Sequence, residues 1–243
     1  MRKKPFSEKS RGDDTPKAKE RWAVVGNERL TAYAGGILLV LLLVEVVSAV
    51  DLHALLSVHV FIGVLLAGPL VVKIGSTGYR FVRYYTKSPA YVEKGPPHIG
   101  LRVLSPLLLL TTLVVIGSGI GLVIIGRPYQ GALFHLHAIS ALIWIVMITI
   151  HLFAHIRSVP RLIAADWRKI TTQRTLGRWS RLGVNLGALV VGVIASVILL
   201  PVAAPWIAWS KTHVAGLPTP LIAGGALGVI VIVIARPWKW GGK

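Results

Sequence analysis

Residues 103–125 read VLSPLLLLTTLVVIGSGIGLVII, and this stretch contains no charged side chain. Runs of about 18 or more such residues are long enough to cross the ~30 Å hydrocarbon core of a bilayer as helices. Inside lipid the backbone must bond to itself, which favours helix for an apolar run of this kind. Hydrophobic residues make up 54% of the 243-residue chain, more than a soluble domain of this length needs. The sequence therefore predicts an all-α membrane protein.

Five further apolar segments carry almost no charge, which predicts a polytopic membrane helix bundle with six transmembrane helices. In chain order the six segments are Ala32–Val50, Leu55–Ile74, Val103–Ile125, Leu133–Ala154, Leu182–Val202 and Pro220–Ala235. The last segment is short, and it ends before Pro237, a residue type that suits helix boundaries. The lipid bilayer is thus the first predicted partner.

The basic residues are divided unequally between the gaps that separate these segments. The chain has 27 Lys and Arg against 9 Asp and Glu, a formal charge of +18. Of the basic residues, 25 fall in the N-terminal stretch, the second and fourth gaps and the C-terminal end, whereas the alternate gaps hold only Arg127 and Lys211. Because basic loops face the cytoplasm, both termini are predicted to be cytoplasmic, and the location is the cytoplasmic membrane. This orientation explains the charge without nucleic acid as a partner.

Two histidines on neighbouring predicted helices lie at similar depth. His59 lies about five residues into the second segment and His137 about five residues into the fourth, and both helices run from outside to inside. A polar ring inside a membrane helix is costly and marks a functional candidate. Because a haem iron takes one axial imidazole from each side, the pair predicts one haem b near the outer face. The chain has no cysteine, which excludes iron–sulfur clusters and c-type haem attachment.

The fourth segment carries two further histidines on the face that holds His137. His151 follows His137 by 14 residues, which is close to four turns or about 21 Å, and it is predicted as a second iron ligand near the inner face. His155 lies one turn deeper, and only one of the two can ligate a given haem, so the other would bond a propionate or a quinone. Lys73 and Arg127 are candidates for the propionates, although either could instead snorkel to the headgroups.

The histidine spacing is similar to that of membrane b-type cytochromes. The first four segments resemble the four-helix core of the gamma subunit of formate dehydrogenase and of the cytochrome b subunit of nickel–iron hydrogenase. The resemblance implies that His137 and His151 ligate two haems and that His59 is the partner at the outer one. That family takes the partner at the inner haem from its first helix, but Ala32–Val50 contains no histidine. Either His98 replaces it, or the inner haem is missing.

The predicted domain organisation follows from these assignments. Residues 1–30 are expected to form a disordered, basic cytoplasmic tail, because they are rich in charged residues and serine. Residues 31–156 form the four-helix haem-binding core, and residues 157–181 form a basic cytoplasmic loop. Residues 182–243 form two further transmembrane helices and a short tail.

Three functions fit the sequence. The first is haem b electron transport between a redox protein partner and the quinone pool, since two axial imidazoles leave the iron no open coordination site. The second is an oxidoreductase, the membrane component of a ferric or metal reductase, with an electron entry site supplied by a partner protein. The third is a non-redox scaffold or transporter whose histidines serve packing or protons. Whether the chain is itself an enzyme stays open at this point, and no residue is assigned a catalytic role.

Overall fold

The structure is a computed structural model that describes residues 16–126, 130–167, 177–212 and 219–239. Within these residues the chain is helical and contains no strand, which confirms the all-α fold class. The α-helices of this part of the chain are α1 Pro16–Val50, α2 Leu52–Leu65, α3 Ala67–Tyr85, α4 Pro89–Lys94, α5 Ile99–Ile125, α6 Gln130–His155, α7 Ser158–Trp167, α8 Arg178–Leu199, α9 Ala204–Thr212 and α10 Thr219–Ala235.

Five stretches of helix are long and apolar enough to cross a membrane, so the protein is a multi-pass membrane protein. They are Glu20–Val50, Leu52–Tyr85, Ile99–Ile125, Gly131–His155 and Arg178–Thr212. These stretches contain the first five predicted segments. The sixth predicted segment falls on α10, which has 17 residues, fewer than the ~20 that a usual crossing needs.

Large apolar side chains cover much of the outer surface. Val71, Leu186 and Ile234, which lie on three different helices, are 70%, 63% and 76% exposed. A surface of this kind would promote aggregation in water. In a bilayer the same side chains face acyl chains of equal polarity.

The helix α1 begins well before the apolar run that predicts it. Its early turns carry Glu20 and Glu28, whose carboxylates pair with Arg83 and Lys94 at 2.9 and 3.0 Å. These ion pairs tie α1 to α3 and α4, which explains why the helix continues beyond the apolar residues. Half of the predicted N-terminal tail is therefore helical from Pro16 onward, and residues 1–15 lie outside the described part of the chain.

A buried acid on α7 joins three helices. Asp166 is 1% exposed, and its Oδ1 lies 2.8 Å from Arg29 Nη1 on α1 and 2.7 Å from Arg181 Nη2 on α8. The Tyr33 hydroxyl donates to its Oδ2 at 3.1 Å. Two cations and a hydroxyl together offset the desolvation of the carboxylate. The predicted cytoplasmic loop 157–181 thus contains a docked helix, while its residues 168–176 are not described.

Small residues let α8 approach the second membrane stretch closely. A Cβ at Gly68 would collide with the carbonyl oxygen of Ala188, and a Cβ at Gly192 would lie 2.7 Å from the carbonyl oxygen of Leu65. Close backbone approach at small residues is a common way for membrane helices to associate. Pro69 lies beside this contact, and its missing N–H leaves the Leu65 carbonyl without its usual helical donor where α2 passes into α3.

The helices form two packed groups. The first contains α1, α2, α3, α7 and α8, and the second contains α5, α6 and α10. The groups join where α2 meets α5, and α9 also packs against α2. In the described part of the chain neither α2 nor α3 packs closely against α6. We use the term interhelical cleft for the boundary between α2–α3 and α6, where most of the predicted site residues lie.

Candidate functional site

The two histidines predicted as partners face each other across the interhelical cleft. His59 on α2 and His137 on α6 have ring centres 6.4 Å apart, and their ring planes are inclined by 82°. Two imidazoles that bind one metal ion at about 2 Å per metal–nitrogen bond have ring centres roughly 6–6.5 Å apart. The observed separation therefore fits one metal ion between the rings. We call these two residues the outer pair.

The His59 ring is held by a carboxylate on the neighbouring helix. Glu45 Oε1 on α1 lies 3.1 Å from His59 Nδ1, and Ser48 Oγ lies 3.4 Å from the same nitrogen. Gly63 makes room for this carboxylate, because a Cβ there would lie 3.1 Å from Glu45 Oε1. Sequence reasoning did not find this contact. The signal was present, since Glu45 is the only acid inside a predicted apolar segment and such a group needs a partner.

The His137 ring is held by groups of α5. Its Nδ1 lies 3.0 Å from the Val115 carbonyl oxygen and 3.1 Å from Ser118 Oγ. The Ser118 hydroxyl donates to the Val114 carbonyl at 2.6 Å, so the imidazole Nδ1–H donates to Val115. Gly119 leaves room for the ring, because a Cβ there would lie 3.0 Å from His137 Cε1.

Both rings of the outer pair form their hydrogen bonds through Nδ1, so Nε2 is available as a metal ligand. No group among the described residues bonds to Nε2 of either ring. Metal-ligating histidines usually donate the second ring N–H to a carboxylate or a backbone carbonyl, which fixes the tautomer and the ring orientation. The outer pair shows one partner of each kind.

The described residues contain no group of three or more His, Cys, Asp or Glu side chains placed to hold a metal ion. A bare metal ion at the outer pair would thus lack protein ligands for a full coordination sphere. A haem brings its own equatorial ligands and needs only axial groups from the protein. The donor set of the outer pair, two imidazoles from different helices with ring centres 6.4 Å apart, fits that requirement.

The other two histidines of α6 form a separate cluster. The rings of His151 and His155 lie with their centres 4.7 Å apart on the same helix. His155 Nδ1 lies 3.4 Å from Ser158 Oγ, whereas His151 Nδ1 is buried without a hydrogen-bond partner among the described residues. His98, considered above as a partner for an inner haem, instead caps α5, where its Nδ1 accepts from the Gly100 N–H at 3.2 Å.

Lys73 on α3 belongs to this second cluster. Its Nζ donates to the Thr31 carbonyl oxygen at 3.1 Å, and the residue lies within electrostatic range of His151 and His155. Lys73 follows His59 by 14 residues along the membrane stretch formed by α2 and α3, a rise of about 21 Å, which is too far for direct contact with a group bound at the outer pair. We call Lys73, His151 and His155 the inner cluster. Arg127, the remaining predicted cofactor residue, lies outside the described residues.

Two further histidines make exposed contacts away from the cleft. His53 Nε2 lies 3.2 Å from the Lys211 carbonyl oxygen, and His135 Nδ1 lies 2.6 Å from the Gly131 carbonyl oxygen. Both have the surface roles expected for residues near helix ends. His135 is useful as a control because it lies two residues from His137 on the same helix.

Comparison with protein families, with curated proteins and with solved structures finds no match for this chain. The resemblance to membrane b-type cytochromes therefore depends on the spacing of the histidines alone.

Proposed function

We propose that the protein is a haem b electron carrier of the cytoplasmic membrane, with one haem held between His59 and His137. The observation that carries the proposal is the outer pair itself. Its ring centres lie 6.4 Å apart, each Nδ1 is engaged by a partner of the kind that orients metal ligands, and each Nε2 is left for the iron. A bound haem would supply a one-electron iron couple.

The protein's own residues would determine how that couple behaves. His59 and His137 would hold the haem with two imidazoles, an arrangement that favours electron transfer over oxygen binding. Glu45 and the Val115 carbonyl would hold the two rings in place and increase the basicity of the ligands. The apolar helices around the cleft would exclude water and lower the local dielectric, a further influence on the reduction potential.

One haem per chain is proposed rather than two. His151 has ring contact with His155 of its own helix, and its electrostatic neighbours are His155 and Lys73. No imidazole from another helix in the described part of the chain faces it. A second bis-imidazole site would need such a partner.

The orientation is part of the proposal. We infer six crossings with both termini in the cytoplasm, because 25 of 27 basic residues then fall on one side. The sixth crossing would be α10, whose 17 residues are apolar after its first turn. In this orientation the outer pair lies towards the outer face and the inner cluster towards the cytoplasm. Electrons would pass between a redox protein partner and quinone in the bilayer.

The test is a reduced-minus-oxidised spectrum and a haem determination on the full chain, purified after expression with haem supplied. We expect a b-type signal at about one haem per chain, lost in His59→Ala and in His137→Ala. His135→Ala removes an exposed ring two residues from His137 and should keep the signal. Absence of a b-type spectrum from the unmodified protein would end the proposal. Unchanged spectra in both ligand variants would favour the scaffold or transporter.

A further inference from the structure

The guanidinium of Arg178 lies over two tryptophan rings where α7 ends and α8 begins. Its Cζ is 4.8 Å from the centre of the Trp167 ring and 5.5 Å from the centre of the Trp179 ring. Its Nη1 also donates to the Asp166 carbonyl oxygen at 3.4 Å. Because indole faces attract a cation, these contacts hold a long side chain in place. We call Arg178, Trp167 and Trp179 the arginine–indole cluster.

The arginine–indole cluster is accessible from outside the protein. Trp167 is 53% exposed and Trp179 is 74% exposed. The Nε of Arg178 is enclosed, but Nη2 is not enclosed and forms no hydrogen bond with the described residues. Nη2 therefore keeps both of its N–H groups for a ligand. The cluster presents an ordered guanidinium with accessible donors beside two exposed indoles.

No acid in the described part of the chain neutralises Arg178. None of the ion pairs there includes this residue. Every side-chain carboxylate in these ranges contacts another group, and the acids concerned are Glu20, Glu28, Glu45, Asp51, Glu93 and Asp166. Residues 168–176, which join α7 to α8 outside the described part, contain no Asp or Glu. A guanidinium without a counter-ion is suited to an anion from outside the protein.

The arginine–indole cluster lies at the boundary of the bilayer. Arg178 and Trp179 are the first residues of the fifth membrane stretch, Arg178–Thr212. The helix α7 packs at a similar level, since a Cβ at Gly36, inside the first apolar segment, would lie 3.3 Å from Ile163 Cδ1. Tryptophan rings settle at this depth, which is also the depth of the lipid headgroups. In the proposed orientation the cluster faces the cytoplasmic leaflet, which carries anionic lipids.

We propose that the arginine–indole cluster binds the phosphate group of an anionic phospholipid in the cytoplasmic leaflet. The planar fork of Arg178 matches the geometry of a phosphate group. The two exposed indoles would contact the glycerol region, where rings with one apolar and one polar part are stable. An acidic soluble protein could also offer carboxylates to Arg178, but indoles exposed at headgroup depth favour lipid as the occupant.

The experiment is native mass spectrometry of the full chain, purified in mild detergent and stripped of lipid. Phosphatidylglycerol, phosphatidylcholine, inorganic phosphate and a short polyglutamate peptide are then added back separately. Arg178→Met should bind phosphatidylglycerol about tenfold or more weakly than the unmodified protein, because a hydrogen bond between charged groups is lost. Trp167→Leu should bind it roughly two- to fivefold more weakly, because one indole no longer holds the guanidinium. Arg161→Met removes the same charge from an exposed position on α7 and should bind like the unmodified protein.

Several results would overturn the assignment. Equal binding of phosphatidylglycerol by the unmodified protein and by Arg178→Met would remove the role of Arg178, and an equal loss in Arg161→Met would replace the site by general surface charge. Phosphatidylcholine bound as tightly as phosphatidylglycerol would show no selection for negative charge. Inorganic phosphate or the polyglutamate peptide bound as tightly would overturn lipid as the occupant. Gel filtration verifies the folding of each variant, and lipid binding does not depend on haem, so this test is separate from that of the proposed function.

Discussion

The outer pair and the inner cluster lie on the same two stretches of helix, yet their polar atoms are satisfied in opposite ways. At the outer pair, Nδ1 of His59 has a carboxylate oxygen at 3.1 Å and Nδ1 of His137 has a carbonyl oxygen at 3.0 Å. At the inner cluster, Lys73 has no counter-ion and His151 Nδ1 has no partner among the described residues. The outer pair has the hydrogen bonding that the proposed haem ligands need, whereas the Lys73 ammonium and the His151 ring leave part of their hydrogen-bonding capacity unused.

The difference shows how little of a site's chemistry follows from periodicity. Lys73 follows His59 by 14 residues, and His151 follows His137 by 14. Each interval is close to four turns, but only His137 and His151 share a face of one helix, since His59 lies on α2 and Lys73 on α3. On the second membrane stretch, the inner residue Lys73 nevertheless carries an ammonium, whereas the outer residue His59 carries an imidazole. This one exchange, together with the partners from α1 and α5, separates the two sites.

The largest expected effect contrasts the histidines of α6. His137→Ala should abolish haem binding, whereas His151→Ala and His155→Ala should leave the proposed ratio of about one haem per chain unchanged, because neither ring faces an imidazole of another helix within the described ranges. The measurement is haem per chain in matched purifications. A ratio that starts near two and falls to one in His151→Ala would make the inner cluster a second haem site, and the contrast between the two regions would disappear.

The next effect tests whether the geometry of the outer pair depends on the ion cluster around Asp166. Asp166 is buried between Arg29 and Arg181, so Asp166→Asn should lower the free energy of unfolding by roughly 3–5 kcal/mol. Titration of the purified protein with a denaturing detergent measures this loss. The matched variant Glu93→Gln breaks an exposed pair with Arg21 and should cost less than about 1 kcal/mol.

The haem spectrum of folded Asp166→Asn protein should keep the positions of its bands, since Asp166 contacts neither histidine of the outer pair. Shifted bands would show that the ion cluster around Asp166 also positions the outer pair, and the two regions could no longer be treated separately.

A smaller effect should follow from filling the space beside His137. Gly119→Val would push the ring away from its Val115 partner, because even a Cβ lies 3.0 Å from His137 Cε1. Loss of such a supporting contact lowers metal affinity about tenfold or more, measurable as haem retained during gel filtration. Gly117→Val is the control, since a Cβ at Gly117 has no neighbouring atom within 4 Å. Equal haem retention by both variants would count against the assignment of His137 as a ligand.

The smallest effect concerns the two different partners of the outer pair. Glu45→Gln replaces a carboxylate by an amide at His59 Nδ1, which weakens electron donation to the iron and should raise the midpoint potential by about 60 mV, a tenfold change in a one-electron equilibrium. Ser118→Ala should shift it by less than about 30 mV, since His137 keeps the Val115 carbonyl. Redox titration of the haem band measures both. A larger shift of the midpoint potential in Ser118→Ala than in Glu45→Gln would show that Ser118 influences the iron more than Glu45 does.

Much of the helical framework is predictable, because hydropathy acts along the chain. The five long apolar stretches coincide with five predicted segments, since an uncharged run of this length has few alternatives to a helix. The helix ends are less predictable. α1 begins at Pro16 and α7 exists at all because ion pairs with other helices extend or dock them, and such pairs join residues far apart in sequence.

The meeting of His59 and His137 was predictable by counting residues from the ends of two parallel segments. Their supporting groups were not. Glu45 attracts attention as a lone acid, but nothing in the local sequence says that it meets His59 rather than the interface. The Val115 carbonyl has no sequence signal, because every residue carries one.

The sequence by itself determined that this chain is built of membrane helices and at which depth along each helix its histidines and Lys73 lie, because rise per residue and hydrophobicity are properties of the local chain. Only the tertiary structure decided which helices flank the cleft, which carboxylate and carbonyl hold the outer pair, and that no carboxylate of the described residues pairs with Lys73. Those features depend on how the helices pack against one another. That packing is set by glycine contacts and ion pairs between residues distant in sequence.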